Sequence, residues 1–250
     1  MAEINCTVGC PHGCRYCYAR VAALEKGVID SASDWTRSRT IDSEVESRRP
    51  LYGGQVMFPT AHDIVDDNLE EALQVVSRLL EAGNQLLIVS KPSRSCIEQI
   101  CDRFTEQRGK ILFRFTITSR NSAILGFWEP GAPHYQERLE SLQLAFERGF
   151  QTSVSIEPML DLEDVRGMID EIEPYVSHSI WVGKLNRIDE RVQIDSAETA
   201  AEVERIRNEQ RDRNIIDIYE ALKERPLIRW KESIKLVVGL PLATESGLDI

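Results

Sequence analysis

"DNLEEALQVVSRLLEAG", residues 67–83, runs straight into "QLLIVS", residues 85–90, and this junction decides how the chain folds. Leu69, Leu73, Val76, Leu79 and Leu80 recur at the three- and four-residue intervals that place them on one face of a helix, and Gly83 supplies the stop. QLLIVS is instead a short apolar, β-favouring run that reads as a strand. A helix that hands over directly to a strand is half of a βα repeat.

The same handover recurs along the chain. Further strands are expected at "EIN" (3–5), "QVMFP" (55–59), "ILFRFTIT" (111–118), "TSVSIEP" (152–158) and "IWVGKL" (180–185). Between them, "HYQERLESLQLAFERGF" carries Leu139, Leu142 and Phe146 inward and stops at Gly149, while "DLEDVRGMIDEIEPY" and the shorter "SCIEQICDRFTEQ" also have helical period. Residues 197–225 read as one long polar helical segment, and Pro226 separates it from "LIRWKESIKLV". The pattern predicts an α/β fold, a partial (βα)6 TIM-type barrel with mainly parallel strands. With no repeat or low-complexity tract, residues 1–250 read as a single domain whose helical part from about 195 to 250 closes the barrel. Polar residues collect where such a barrel places function, at the strand exits "PTAHD", "SKPS", "TSRN", "EPM" and "KLN".

A net charge of −11 argues against a protein that coats nucleic acid through general attraction. No leader pattern opens the sequence, and no apolar run approaches the roughly 20 residues of a membrane helix, so a cytoplasmic protein without a membrane role is expected. Six cysteines in 250 residues are too few for a disulfide scaffold.

Four of those cysteines crowd into "CTVGCPHGCRYCYAR", residues 6–20, where Cys10, Cys14 and Cys17 stand as CxxxCxxC. Three thiolates from one loop can each ligate one iron of a cubane cluster and leave the fourth iron open to a small molecule. Gly9 and Gly13 allow a tight fold around the metal and Pro11 stiffens it. The competing reading is a zinc knuckle completed by Cys6 or His12. Cys6 otherwise reads as a buried residue of the first strand or its exit, and Cys96 and Cys101 as core thiols on a helix.

CxxxCxxC after a short first strand, with Tyr16 just before the last cysteine, resembles the signature of radical S-adenosylmethionine (radical SAM) enzymes. "CRYCYAR", "FPTAHDIV", "LLIVSKPS" and "FRFTITSRNSAILGFWEPGAPHYQERLESL" extend the resemblance to the spore photoproduct lyase branch over most of residues 5–160. The resemblance implies a 4Fe–4S cluster on Cys10, Cys14 and Cys17, an S-adenosylmethionine whose bond to sulfur is cleaved reductively to a 5′-deoxyadenosyl radical, and Tyr16 lying along the adenine. The cofactor's carboxylate needs a cation, for which Lys91 is the candidate, with Ser90 and Thr116 as hydrogen-bonding partners. Thr60, His62 and Asp63 are expected to point into the same space, the first and last toward the cofactor. A histidine's unperturbed pKa lies near neutrality, so His62 is a candidate proton donor or acceptor. Glu157, costly to bury at a strand end without a partner, is expected to meet the ribose or substrate. Lys184 and Asn186 are expected to face the substrate. Glu129 reads as a turn residue, and Gly53 and Gly54 as a turn leading into a strand.

The expected activity is hydrogen abstraction from a substrate that is a small molecule or peptide in preference to DNA, of lyase or oxidoreductase type. It would be fed by an external one-electron reductant of the flavodoxin or ferredoxin type. A DNA repair lyase of the spore photoproduct type is the alternative, against which stand the absence of a cysteine in "MFPTAHD" and of an N-terminal extension. A non-catalytic iron-sulfur or zinc-binding protein is the other.

Overall fold

The computed structural model describes residues 1–244. The chain starts with β1 (Ala2–Glu3), forms the hairpin β2 (Thr7–Val8) and β3 (Arg39–Thr40) around α1 (Tyr18–Glu25), and passes through α2 (Asp42–Glu46). A βα series follows: β4 (Val56–Phe58), α3 (Leu69–Glu81), β5 (Leu86–Ser90), α4 (Arg94–Arg103), β6 (Ile111–Thr116), α5 (Ser122–Trp128), α6 (Tyr135–Glu147), β7 (Gln151–Ile156), α7 (Val165–Ile172) and β8 (Ser179–Val182). It ends with α8 (Ile188–Arg191), α9 (Ala197–Glu209), α10 (Asp212–Leu222), β9 (Ile228–Trp230) and α11 (Glu232–Val238).

Seven strands form one parallel sheet in the order β1-β4-β5-β6-β7-β8-β9. Each strand therefore lies beside its predecessor in the series, and every strand exit faces the same end of the molecule. The α/β repeat with parallel strands is the one the sequence implies, with one strand more. β9 escapes the hydropathy pattern because it is three residues long, with exposed Arg229 between buried Ile228 and Trp230. Among the described residues β1 and β9 stand at the two ends of the order and do not pair with each other.

The period-2 pleat gives the sheet two chemically different faces. Phe113 and Phe115 are fully buried toward the helices, with Phe113 packed against Phe150 at 5.3 Å, while Arg114 and Thr116, which alternate with them, line a cavity on the opposite face. The buried face of α3, Leu69, Leu73, Val76, Leu79 and Leu80, joins that helix-side core. α6 buries Leu139 and Leu142, but Phe146 is corrected: it is 39% exposed and rests edge-on against Tyr175.

Residues 197–225 form two helices rather than one. Gln210 ends α9 and turns its buried amide onto the strand exits, accepting from the Leu185 N–H at 2.8 Å and donating to the Met159 carbonyl. Val203 and Ile206 of α9 pack with Tyr16, Trp128 and Leu160 in a second apolar cluster. Positions 245–250 of the segment expected to close the barrel lie outside the described residues.

Candidate functional site

Asn5, leaving β1, organises the first exit. Its Oδ1 accepts from the N–H groups of Thr60 and Ala61 and its Nδ2 donates to Thr60 Oγ1 at 2.8 Å, which ties the exit of β4 to the root of the cysteine loop. After the β2 hairpin strand the chain doubles back at Gly9, whose φ of +94° and whose absent Cβ, which would sit 2.7 Å from the Trp35 carbonyl, require glycine. Cys10 then donates its N–H to that carbonyl at 2.8 Å.

Cys10, Cys14 and Cys17 all line a cavity of about 460 Å³ at the strand exits, within the size range of small-molecule sites. Cys10 and Cys14 are buried; Cys17 caps α1, its Sγ accepting from the Arg20 N–H at 3.4 Å. Burial pushes the Cys14 thiol up to about 12 and Cys10 further in the same direction, so both keep their protons until positive charge arrives. Cys6 is fully buried in the main core, and Cys96 and Cys101 are buried on α4.

A second segment clamps this loop. Arg15 donates its backbone N–H to the Trp128 carbonyl and its Nε to the Phe127 carbonyl, both at 2.9 Å, and Gly131 donates to the His12 carbonyl at 2.9 Å. A Cβ on Gly131 would lie 2.5 Å from the Pro11 carbonyl, so the two loops touch backbone to backbone. Glu129 is not a mere turn residue. It is buried, its carboxylate accepts from Tyr16 Oη, from Thr118 Oγ1 at 2.9 Å and from Arg138, and it holds its proton affinity low because Arg138 and Lys91 outweigh the burial penalty.

Asp63 is the other hub. Its carboxylate meets His12 Nδ1 at 2.8 Å, the Lys91 N–H at 2.6 Å, Lys91 Nζ at 3.8 Å and Ser90 Oγ at 3.0 Å. Cys10 Sγ lies 3.7 Å from the same carboxylate. Burial would raise Asp63, but Lys91 and His12 hold it far below the usual carboxylate range. Burial would likewise depress the Lys91 ammonium; Cys14, Tyr16, Asp63 and Glu129 around it hold it well above its ordinary value. Lys91 Nζ sits 5.7 Å over the Tyr16 ring.

The cavity wall brings together Tyr16, Thr60, His62, Asp63, Lys91, Thr116, Glu157, Lys184 and the three cysteines. Two expectations change. Ser90 is not in that wall: Val89 and Lys91 face the cavity, so Ser90 between them points to the helices, where it bonds Asp63 and accepts from the Ile64 N–H. His62 reaches the wall but has both nitrogens committed to backbone, Nε2 to the Cys6 N–H at 3.2 Å and Nδ1 to the Asp63 carbonyl at 3.0 Å, so the ring is neutral and holds the loop together. Glu157 stands at the far side, with Asn186 Nδ2 at 3.3 Å and Lys231 Nζ at 3.6 Å; Lys184 Nζ is 3.8 Å from the exposed Asp212. Gly53 and Gly54 precede β4 with nothing within 4 Å, as a turn requires.

Sequence reasoning missed Arg114 and Lys231 in this wall. Arg114 carries a signal: a charge between two phenylalanines in a strand must face away from the core. Lys231 follows a strand too short to be read.

Among the described residues, the ligating atoms of Cys10, His12 and Asp63 all lie within 4.8 Å of one another, and the three cysteines do not form such a set. The family model of the Radical SAM superfamily matches residues 4–173. The chain is 24% identical over 179 residues to the uncharacterized protein ORF301 of Acidianus two-tailed virus, and the match covers 67% of this chain and 59% of that relative's length. Among solved structures, a variant of spore photoproduct lyase with dinucleoside spore photoproduct is similar with a TM-score of 0.51 and 16% identity, over 90% of this chain and 74% of that one. Streptococcus suis SuiB bound to S-adenosylmethionine gives 0.55 and 9%, over 97% of this chain and 53% of SuiB. SuiB bound to the precursor peptide SuiA gives 0.56 and 9%, over 95% and 50%.

Proposed function

The chain belongs to the radical SAM superfamily, and from that premise we propose that it is an enzyme that binds a 4Fe–4S cluster through Cys10, Cys14 and Cys17. It cleaves S-adenosylmethionine reductively, and the resulting 5′-deoxyadenosyl radical takes hydrogen from a substrate. The observation that carries this reading is that all three thiols open onto the one cavity that also holds Lys91, Tyr16 and Glu157. The donor set suits the cluster: buried thiols need a compensating cationic centre, and they are spread more widely than a single tetrahedral ion requires. When bound, the cluster supplies the electron, drawn from an external reductant of the flavodoxin or ferredoxin type, that breaks the carbon–sulfur bond to leave methionine.

The remaining work belongs to the chain. Lys91, held by Asp63 through both its N–H and its ammonium, meets the cofactor's carboxylate. Thr116 and Thr60 offer oxygens near its amine, and Tyr16, fixed by Glu129, lies along the adenine. Ser90 acts through Asp63. Glu157 receives the ribose or the substrate, and Lys184 faces the substrate. The cavity wall would hold the reacting carbon against the substrate and away from oxygen and stray side chains, with which such a radical reacts. A small molecule or peptide substrate is favoured over DNA by the net charge of −11, and SuiB bound to a precursor peptide supports the same choice. Among the described residues no helix is long and apolar enough to cross a membrane.

The test is anaerobic reconstitution with iron and sulfide, reduction, and assay of S-adenosylmethionine. Formation of 5′-deoxyadenosine and methionine, lost in Cys14→Ala, is the expected result; no cleavage by protein with a full iron complement overturns it. The grouping of Cys10, His12 and Asp63 favours one second reading, a single metal ion without radical chemistry. That reading requires one zinc per chain and a dependence on His12, which iron analysis of His12→Ala separates.

A further inference from the structure

Two demands fall on Cys10. It is the first thiol of CxxxCxxC, and it also stands in a second grouping of donors, with His12 and Asp63, whose ligating atoms all lie within 4.8 Å of one another. His12 Nδ1 is 2.8 Å and Cys10 Sγ 3.7 Å from the same oxygen, Asp63 Oδ2. The other oxygen, Oδ1, accepts from the Lys91 N–H at 2.6 Å and from Ser90 Oγ at 3.0 Å. The carboxylate is thereby fixed with Oδ2 turned to the cysteine loop.

A thiolate sulfur, an imidazole nitrogen and a carboxylate oxygen are a donor set that zinc takes. Bonds of about 2.0–2.3 Å to a tetrahedral zinc hold its ligand atoms about 3.3–3.6 Å apart. The separations of 2.8 and 3.7 Å straddle that spacing, so a small outward turn of the His12 ring admits the ion. Cys10 and Asp63 both line the main cavity, which gives the ion a way in and a water for its fourth position. Binding replaces the hydrogen bonds among the three groups. Cys10 Sγ gives its proton to water, and His12 turns the lone pair of Nδ1 to the ion with its own proton on Nε2. One group opposes the ion, the Lys91 ammonium 3.8 Å from Oδ2.

We propose that Cys10, His12 and Asp63 form a mononuclear zinc site, and that zinc there and the iron-sulfur cluster exclude each other because both require Cys10. The ion's own binding stands on the geometry of the three residues; only the exclusion of the cluster rests on the reading above. Zinc in this site blocks loading of the cluster without touching Cys14 or Cys17, and its removal restores the full set of three thiols.

The test uses the metal-free full chain under anaerobic conditions. Zinc X-ray absorption of the parent should show a first shell of one sulfur with nitrogen and oxygen ligands; a shell of three sulfurs, or no stoichiometric zinc, overturns the proposal without recourse to any variant. Cobalt(II), whose thiolate charge-transfer absorbance reports the bound sulfur, gives the affinity. His12→Asn, whose amide can still donate to Asp63, should weaken cobalt binding about tenfold or more. Lys91→Met should strengthen it, and Cys17→Ala should leave it unchanged. Equal affinity in folded His12→Asn, weaker binding in Lys91→Met, or loss of binding in Cys17→Ala overturns the site. The zinc-loaded parent should take up iron and sulfide only as a chelator removes the zinc, and full iron uptake with zinc retained overturns the exclusion. The zinc-free protein, reconstituted and reduced, reports 5′-deoxyadenosine. Cleavage in a protein that lacks the one-sulfur zinc site sinks this proposal alone, and a one-sulfur site in a protein that takes a full iron complement yet does not cleave sinks the radical reading alone.

Discussion

Glu129 and Arg138 form an ion pair in which both side chains are fully buried, nine positions apart across the turn that grips the cysteine loop. The pair is closed on every side: Arg138 also donates to the carbonyls of Pro133 at 2.7 Å and Thr116 at 3.3 Å, and Glu129 accepts from Tyr16 and Thr118. A buried pair of this kind adds little net stability over an apolar equivalent, but breaking it leaves a charge with no water and no partner.

Arg138→Met should therefore cost about 3–5 kcal/mol in urea unfolding. Arg138→Met combined with Glu129→Gln should recover part of that loss, because the stranded carboxylate is gone. The double variant should still bind S-adenosylmethionine more weakly than the parent, since Tyr16 loses its charged acceptor.

Gly131→Ala tests the clamp between the two loops. The added methyl would lie 2.5 Å from the Pro11 carbonyl and 3.1 Å from His12, against backbone that cannot step aside as a side chain would. Overpacking of about 1–3 kcal/mol is expected, and because the displaced segment carries Cys10 and Cys14, the reconstituted protein should hold less iron than the parent. Unchanged iron content and stability would mean the two loops are not rigidly coupled.

The repeat was legible because amphipathic helices of 13 residues such as α3, each running into an apolar strand, leave a period that local sequence cannot hide. The cysteine triad and Lys91 were legible for a similar reason, as short-range patterns at strand exits. Glu129 was not, because its meaning lies in Tyr16, 113 positions away, and Arg138. His62 shows the opposite error: a titratable residue at a strand exit suggests chemistry, yet the backbone N–H of Cys6, 56 positions away, claims its free nitrogen. Ser90 could have been placed from alternation alone, since a strand that turns Val89 to the cavity turns the next residue to its other face.

Lys91→Met should spare the brown absorbance of the cluster and weaken cofactor binding. Asp63 would keep His12 as its partner, so the cysteine loop retains its anchor while the cavity loses its cation nearest Tyr16. Loss of one partner of a desolvated charge pair costs about 2 kcal/mol or more, and equilibrium binding of S-adenosylmethionine to the oxidised protein measures it. Equal affinity would remove Lys91 from the carboxylate.

His62 makes stability depend on pH in a direction the structure fixes. Burial lowers its affinity for a proton below the ordinary 6.5, with the Asp63 carbonyl and carboxylate only partly opposing it. The unfolded chain therefore binds a proton that the folded chain refuses throughout the interval below pH 6.5. Stability contributed by the neutral ring is complete above that point and falls as the pH drops through it toward the folded value. His178 is shifted the same way, by burial and by Arg114 and Arg229, and adds to the slope. Urea unfolding between pH 8 and pH 5.5 should show a plateau followed by a decline. His62→Gln, whose amide oxygen can still accept from the Cys6 N–H, should start less stable at pH 8 but lose less on acidification. A variant that declined as steeply as the parent would place the acid sensitivity elsewhere and return His62 to the candidates for proton transfer.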